Sequence, residues 1–151
     1  MKKLVDVIIL IEHKNRELGS AKLIKQNLEK LNIQTEIIPI FYKQGFAMLK
    51  YSPKLIITPW SYSNHEIDLI RGFKGGLPNN TFNILNLHHE QISFRDSKEF
   101  MIPSGDAVNT YHISWGKYFK NILVENSVSS NLIRTTGSIR LEILKNQKCI
   151  I

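Results

Sequence analysis

The sequence predicts an α/β domain: a Rossmann-like, doubly wound and mainly parallel sheet in a single domain. Two observations carry the prediction. Short β-branched runs alternate with helical stripes at the spacing of βαβ units, and residues 4–11 form an almost unbroken apolar run, the pattern of a strand buried on both faces of a parallel sheet. A chain of 151 residues is long enough for one sizeable core, a domain of this size burying about 70% of the surface its unfolded chain exposes. Crossovers between parallel strands should be right-handed.

The elements follow in order. Residues 4–11 are the first strand. Ala21, Ile24, Leu28 and Leu31 then set one apolar stripe on a helix of about four turns that opens near Glu17. Residues 33–40 form a second strand, interrupted by Gln34, Thr35 and Glu36 and stopped near Pro39. Residues 41–51 read as a helix weakened at Gly45 and closed by Pro53. Residues 55–58 are a third strand, 66–73 a short helix, 75–78 a turn, 82–87 a fourth strand and 109–114 a fifth. Between the last two, residues 93–108 carry Pro103 and Gly105 and read as a surface loop or short helix. Trp115-Gly116 leads into a helix over residues 117–125, with Tyr118, Ile122 and Phe119 expected to face inward. A further short strand from Leu132 and a Thr136-Gly137 turn deliver Arg140 to the opening of another helix. No internal repeat, heptad series or low-complexity stretch interrupts this order.

Lys and Arg total 20 against 13 Asp and Glu, a formal charge of +7. An anionic partner would suit that excess, but the bases are scattered and no recognition helix or aromatic single-strand motif accompanies them, so no nucleic acid partner is expected. Cys149 is the single cysteine, which excludes an internal disulfide and agrees with a reducing cytoplasm. The apolar N-terminal run contains Asp6 and lacks a small-residue cleavage site, so it reads as a buried strand rather than a signal peptide. No run reaches the ~18 apolar residues that a membrane span needs.

In an open α/β sheet, ligands bind beyond the carboxyl ends of the strands, and the residues there exclude several chemistries. After the first strand, Gly19 stands alone, so neither a dinucleotide-binding glycine loop nor a Walker loop is present. The hydroxyl-rich phosphate loop of a flavodoxin is missing, as is the acidic constellation of a receiver domain. What remains is a polar loop with Arg16, suited to bidentate contact with a carboxylate or phosphate, and Glu17. The two could equally pair with each other or cap the helix. After the third strand, Trp60 can stack on a sugar ring or lid the core. After the fourth, His88, His89 and Glu90 offer groups able to accept a proton from a hydroxyl, or to support the loop. No second cluster stands at metal-ligand spacing, and His65 and His112 are possible partners without sequence warrant, so no metal and no cofactor is expected.

Trp115-Gly116, the short strand after it and Thr136-Gly137-Ser138-Ile139-Arg140 resemble the end of the N-terminal half of a GT-B-fold glycosyltransferase. The opening Ile11-Glu12-x-x-x-Arg16-Glu17-Leu18 resembles the start of bacterial surface-carbohydrate biosynthesis proteins of the capsule and lipopolysaccharide type. The family form carries Asn-Pro where this chain has Ser138-Ile139, and lacks the paired histidines. The resemblance implies that residues 1–141 are the Rossmann-like, acceptor-side domain and 142–151 the start of an interdomain segment or a tail. It also implies a sugar or phospho-sugar acceptor, a donor-binding second domain or chain, and a cytoplasmic protein with at most peripheral membrane association at the inner face. Glu90, His88 and His89 are the expected catalytic candidates, and Arg16, Glu17, Trp60, Trp115 and Arg140 the expected substrate-binding ones. The alternative reading is a standalone small-molecule-binding or protein-interaction domain.

Overall fold

The computed structural model describes residues 2–89 and 102–139. Among these residues six strands, β1 (Lys3–Ile11), β2 (Thr35–Pro39), β3 (Tyr51–Thr58), β4 (Asn83–Asn86), β5 (Tyr111–Ser114) and β6 (Ile133–Thr135), form one sheet in the order β2-β1-β3-β4-β5-β6. Every pairing is parallel. The expected single α/β domain is therefore present, with four α-helices among the described residues: α1 (Lys14–Lys30), α2 (Ile40–Lys50), α3 (Asn64–Arg71) and α4 (Lys117–Glu125).

Alternation along the strands divides the core. Val7, Ile9, Ile11, Ile57 and Leu87 face α1 and meet Ala21, Ile24 and Leu28. Ile8, Leu10 and Ile56 face the opposite way and, clustered with Val5, meet Ala47 of α2 and Ile70 of α3. A third cluster joins Phe119 and Leu123 of α4 to Val128 and Ile133. With α1 on one face and α3 on the other, the chain diverges after β1 and β3, and the crevice between those strand ends is the topological switch point.

Several local expectations are corrected. Pro53 does not close the preceding helix, which ends at Lys50, but lies inside β3, opposite Val5 of β1. It is tolerated because β4 pairs only from Leu55 onward, so that side of β3 needs no N–H at Pro53. Helix α1 begins at Lys14, which places Arg16 and Glu17 in its first turn instead of the preceding loop. Helix α3 begins at Asn64, two residues early, because Ser63 and Glu66 form a reciprocal capping box. On α4 Phe119 faces inward as expected, at 8% exposure, beside Leu123 at 0% and with Ile122 packed against them, whereas Tyr118, also expected inside, is 57% exposed. Among the described residues no helix is long and apolar enough to cross a membrane.

Candidate functional site

The parallel sheet brings the ends of β1, β3, β4 and β5 to one rim, and four side chains from the first two meet there. Glu17 is fully buried. Its Oε2 accepts the backbone N–H of Glu12 at 2.6 Å and of His13 at 3.3 Å. Helix α1 has no side-chain cap from its N-cap residue His13, so Glu17 reaching back performs that office and fixes the strand-to-helix turn. Its other oxygen, Oε1, accepts two bonds from the guanidinium of Arg16, at 2.9 and 3.1 Å. Arg16 also donates to Glu12 Oε2 at 3.0 Å. The same oxygen accepts the indole N–H of Trp60 at 2.7 Å, bridging the switch-point crevice.

Arg16, Glu17 and Trp60 are thus brought together, and Glu12, which the sequence reading passed over, is the group that joins them. One signal for it was present: a carboxylate stands where the apolar run of β1 stops. The guanidinium is shared between two carboxylates, so the expected bidentate contact of Arg16 is made within the chain, to Glu12 and Glu17. The three charged groups carry a net charge of −1 by count, one cation against two anions.

The loop after β4 runs beside the loop after β3. Leu87 N donates to Thr58 O at 3.0 Å and His89 N to Pro59 O at 3.1 Å. Asn86 is the organiser: its amide donates to Ser61 O at 2.7 Å, while its Oδ1 accepts the N–H of His88 at 3.0 Å. That turn holds His88 at φ +47°, a left-handed conformation uncommon for a residue with a side chain.

His88 and His89 are both buried, at 0% and 5% exposure. The His88 ring lies 5.0 Å from Phe119 and 5.5 Å from Tyr62 by centroids. Its Nε2 sits 2.8 Å from Nδ1 of His112 on β5, and His112 Nε2 sits 3.1 Å from the carbonyl of Ala107. A carbonyl can only accept, so His112 carries its proton on Nε2, its Nδ1 accepts, and His88 Nε2 donates. His88 Nδ1 is left with a bare lone pair and no hydrogen-bond partner among the described residues. Burial pushes His88 well below the usual histidine range, and the neighbouring His112 adds to it. Burial likewise lowers His112 to about 4, opposed by the Ala107 carbonyl. His112 is the second residue that sequence spacing did not select.

Trp115 stands at the same rim on the α1 side. With Leu85, Leu87, Ile113 and Gly137 it lines an apolar cavity of about 390 Å³. Gly137 adopts φ +82°, which a side chain would strain, and Thr136 N bonds Ser114 O at 3.0 Å, holding the end of β6 beside that of β5. Glu90 and Arg140 lie outside the described residues. Among the described residues, no three His, Cys, Asp or Glu side chains converge to hold a metal ion. The chain matches no protein-family model, no curated protein and no solved structure at a significant level.

Proposed function

We propose that this domain supplies the acceptor-binding wall of a glycosyltransferase, and that it acts with a donor-binding domain or chain. The observation that carries the reading is the cluster of Glu12, Arg16 and Trp60 across the switch point, where open α/β sheets take their ligands. Trp60 is half-buried, which leaves ring surface for a sugar to pack on. The Glu12 carboxylate can accept a hydroxyl hydrogen bond through Oε1, which stands 3.7 Å from His13 Nε2.

The charge balance refines the class of ligand. A guanidinium already shared by two carboxylates attracts a phosphate weakly, so a neutral, hydroxyl-rich glycoside suits this part of the rim better than a phosphorylated one. The histidine pair sits behind the rim, and its role in this reading is to hold the β4 and β5 ends in place.

The test is a titration of the purified chain with neutral glycosides, their phosphates and nucleotide sugars, followed calorimetrically, with a transfer assay alongside. Binding of a neutral glycoside that Trp60→Ala abolishes, with no transfer by this chain alone, is the expected result. Transfer without a second domain, or binding confined to nucleotides, would overturn the reading.

A further inference from the structure

Helix α2 presents an apolar face to solvent. Phe41, Phe46 and Leu49 are 65%, 68% and 76% exposed, although Ala47 on the opposite side of the same helix is buried at 1%. At 3.6 residues per turn the outward arc runs from Phe41 through Gly45 and Leu49 to Phe46, then to Lys50 and Lys43 at one margin. Three large apolar side chains on an eleven-residue helix that already has a buried side form a patch, not the scattered exposure of an ordinary surface.

The charges beside the patch select what covers it. Lys43 and Lys50 are exposed, and neither has a carboxylate at salt-bridge distance among the described residues. The Lys50 ammonium lies 5.0 Å from the centroid of the Tyr51 ring, at the foot of the helix. Lys14 and Lys43 flank a cavity of about 640 Å³ beside Phe41 at its head. Protein interfaces are depleted of lysine, whereas apolar side chains margined by lysine are what an anionic lipid surface binds. The whole chain is also basic, at +7.

We propose that α2 is a docking face for an anionic lipid bilayer. Phe41, Phe46 and Leu49 enter the boundary between headgroups and acyl chains, and Lys43 and Lys50 meet the lipid phosphates. Because α2 follows β2, its Phe41 end stands at the carboxyl rim of the sheet, so docking would hold that rim close to the membrane. The inference is carried by the exposed face of α2 and its lysines rather than by Arg16 or Trp60, and it meets the sugar-binding reading only at Glu12, which also lines the cavity beside Phe41.

Gly45 provides a clean test, because a Cβ built there meets nothing within 4 Å. Gly45→Glu places a carboxylate in the middle of the patch and improves helix propensity, so the variant should stay folded. The experiment is co-sedimentation with phosphatidylcholine vesicles, with and without about 30 mol % phosphatidylglycerol, at low and high salt. The chain should bind the anionic vesicles about tenfold or more tightly than neutral ones, and Gly45→Glu and the pair Lys43→Glu, Lys50→Glu should each remove that preference. Equal sedimentation of wild type and Gly45→Glu, or no binding to either vesicle, would overturn the proposal. So would a dimer in sedimentation velocity that Gly45→Glu dissolves, because the patch would then belong to a second copy.

Discussion

The indole N–H of Trp60 reaches Glu12 Oε2 at 2.7 Å, tying the end of β3 to the end of β1 across 48 residues of sequence. The bond spans the crevice in which this fold class places ligands, and it makes one carboxylate the meeting point of Trp60 and Arg16. The first consequence concerns that bond alone. Trp60→Phe keeps most of the ring but removes the donor to Glu12, a charged acceptor. A loss of about 1–3 kcal/mol is expected, read by urea denaturation. A Glu12→Gln, Trp60→Phe double-mutant cycle should show coupling between the two sites. Additive losses would contradict the bond.

Glu17 should be the most sensitive residue of the rim. Glu17→Gln keeps the shape but turns an amide NH₂ toward either the Arg16 guanidinium or the backbone N–H groups of Glu12 and His13, donor against donor. The expected cost is about 2–4 kcal/mol, because the site is fully buried. Thermal denaturation checks it, and a variant as stable as the wild type would show that the carboxylate is not the cap described above.

The buried histidines impose a pH dependence. Both are held neutral in the folded chain, His112 down to about 4, while an unfolded histidine titrates near 6.5. Below about pH 6.5 the unfolded chain therefore binds more protons than the folded one, and stability falls as pH drops through the window from 6.5 to 4. For His112 the loss amounts to about 3 kcal/mol by the bottom of that window. Denaturation midpoints at pH 7, 6 and 5 should decline. The double variant His88→Leu, His112→Leu should flatten the histidine part of the decline, and an unchanged slope would contradict the pairing.

Ser63→Ala removes one arm of the capping box that starts α3. A loss of about 1 kcal/mol is expected, with amide hydrogen exchange accelerating first in the opening turn of α3. Uniform exchange across the domain would argue against a local cap.

The fold was legible because strand burial leaves a periodic mark. The run ending at Ile11 and the stripe Ala21, Ile24, Leu28 appear in the sequence as they appear in the core. Ser63-x-x-Glu66 is a start signal that an expected start at Glu66 overlooked, which is why α3 begins two residues early. Pro53 misled because a proline normally excludes a strand, and only the unpaired side of β3 at that level excuses it. The rim was half legible. Arg16, Glu17 and Trp60 were selected because their chemistry is distinctive, but Glu12 and His112 owe their importance to strand adjacency, which brings residues 48 and 24 positions apart into contact and leaves no local pattern. Tyr118 and Phe119 are neighbours of similar shape, so a short helix left their facing ambiguous until the position of β6 decided it.

The most direct measurement is an amide chemical-shift map of this chain titrated with a panel of neutral glycosides. The account predicts that a bound glycoside moves the amides of Glu12, His13, Arg16, Trp60 and Ser61 first, and that Glu12→Gln erases those shifts. Perturbations centred instead on the far end of the sheet, around Arg71, Asn83 and Asp106, would contradict the claim that the carboxyl rim between β1 and β3 is where this domain takes its ligand.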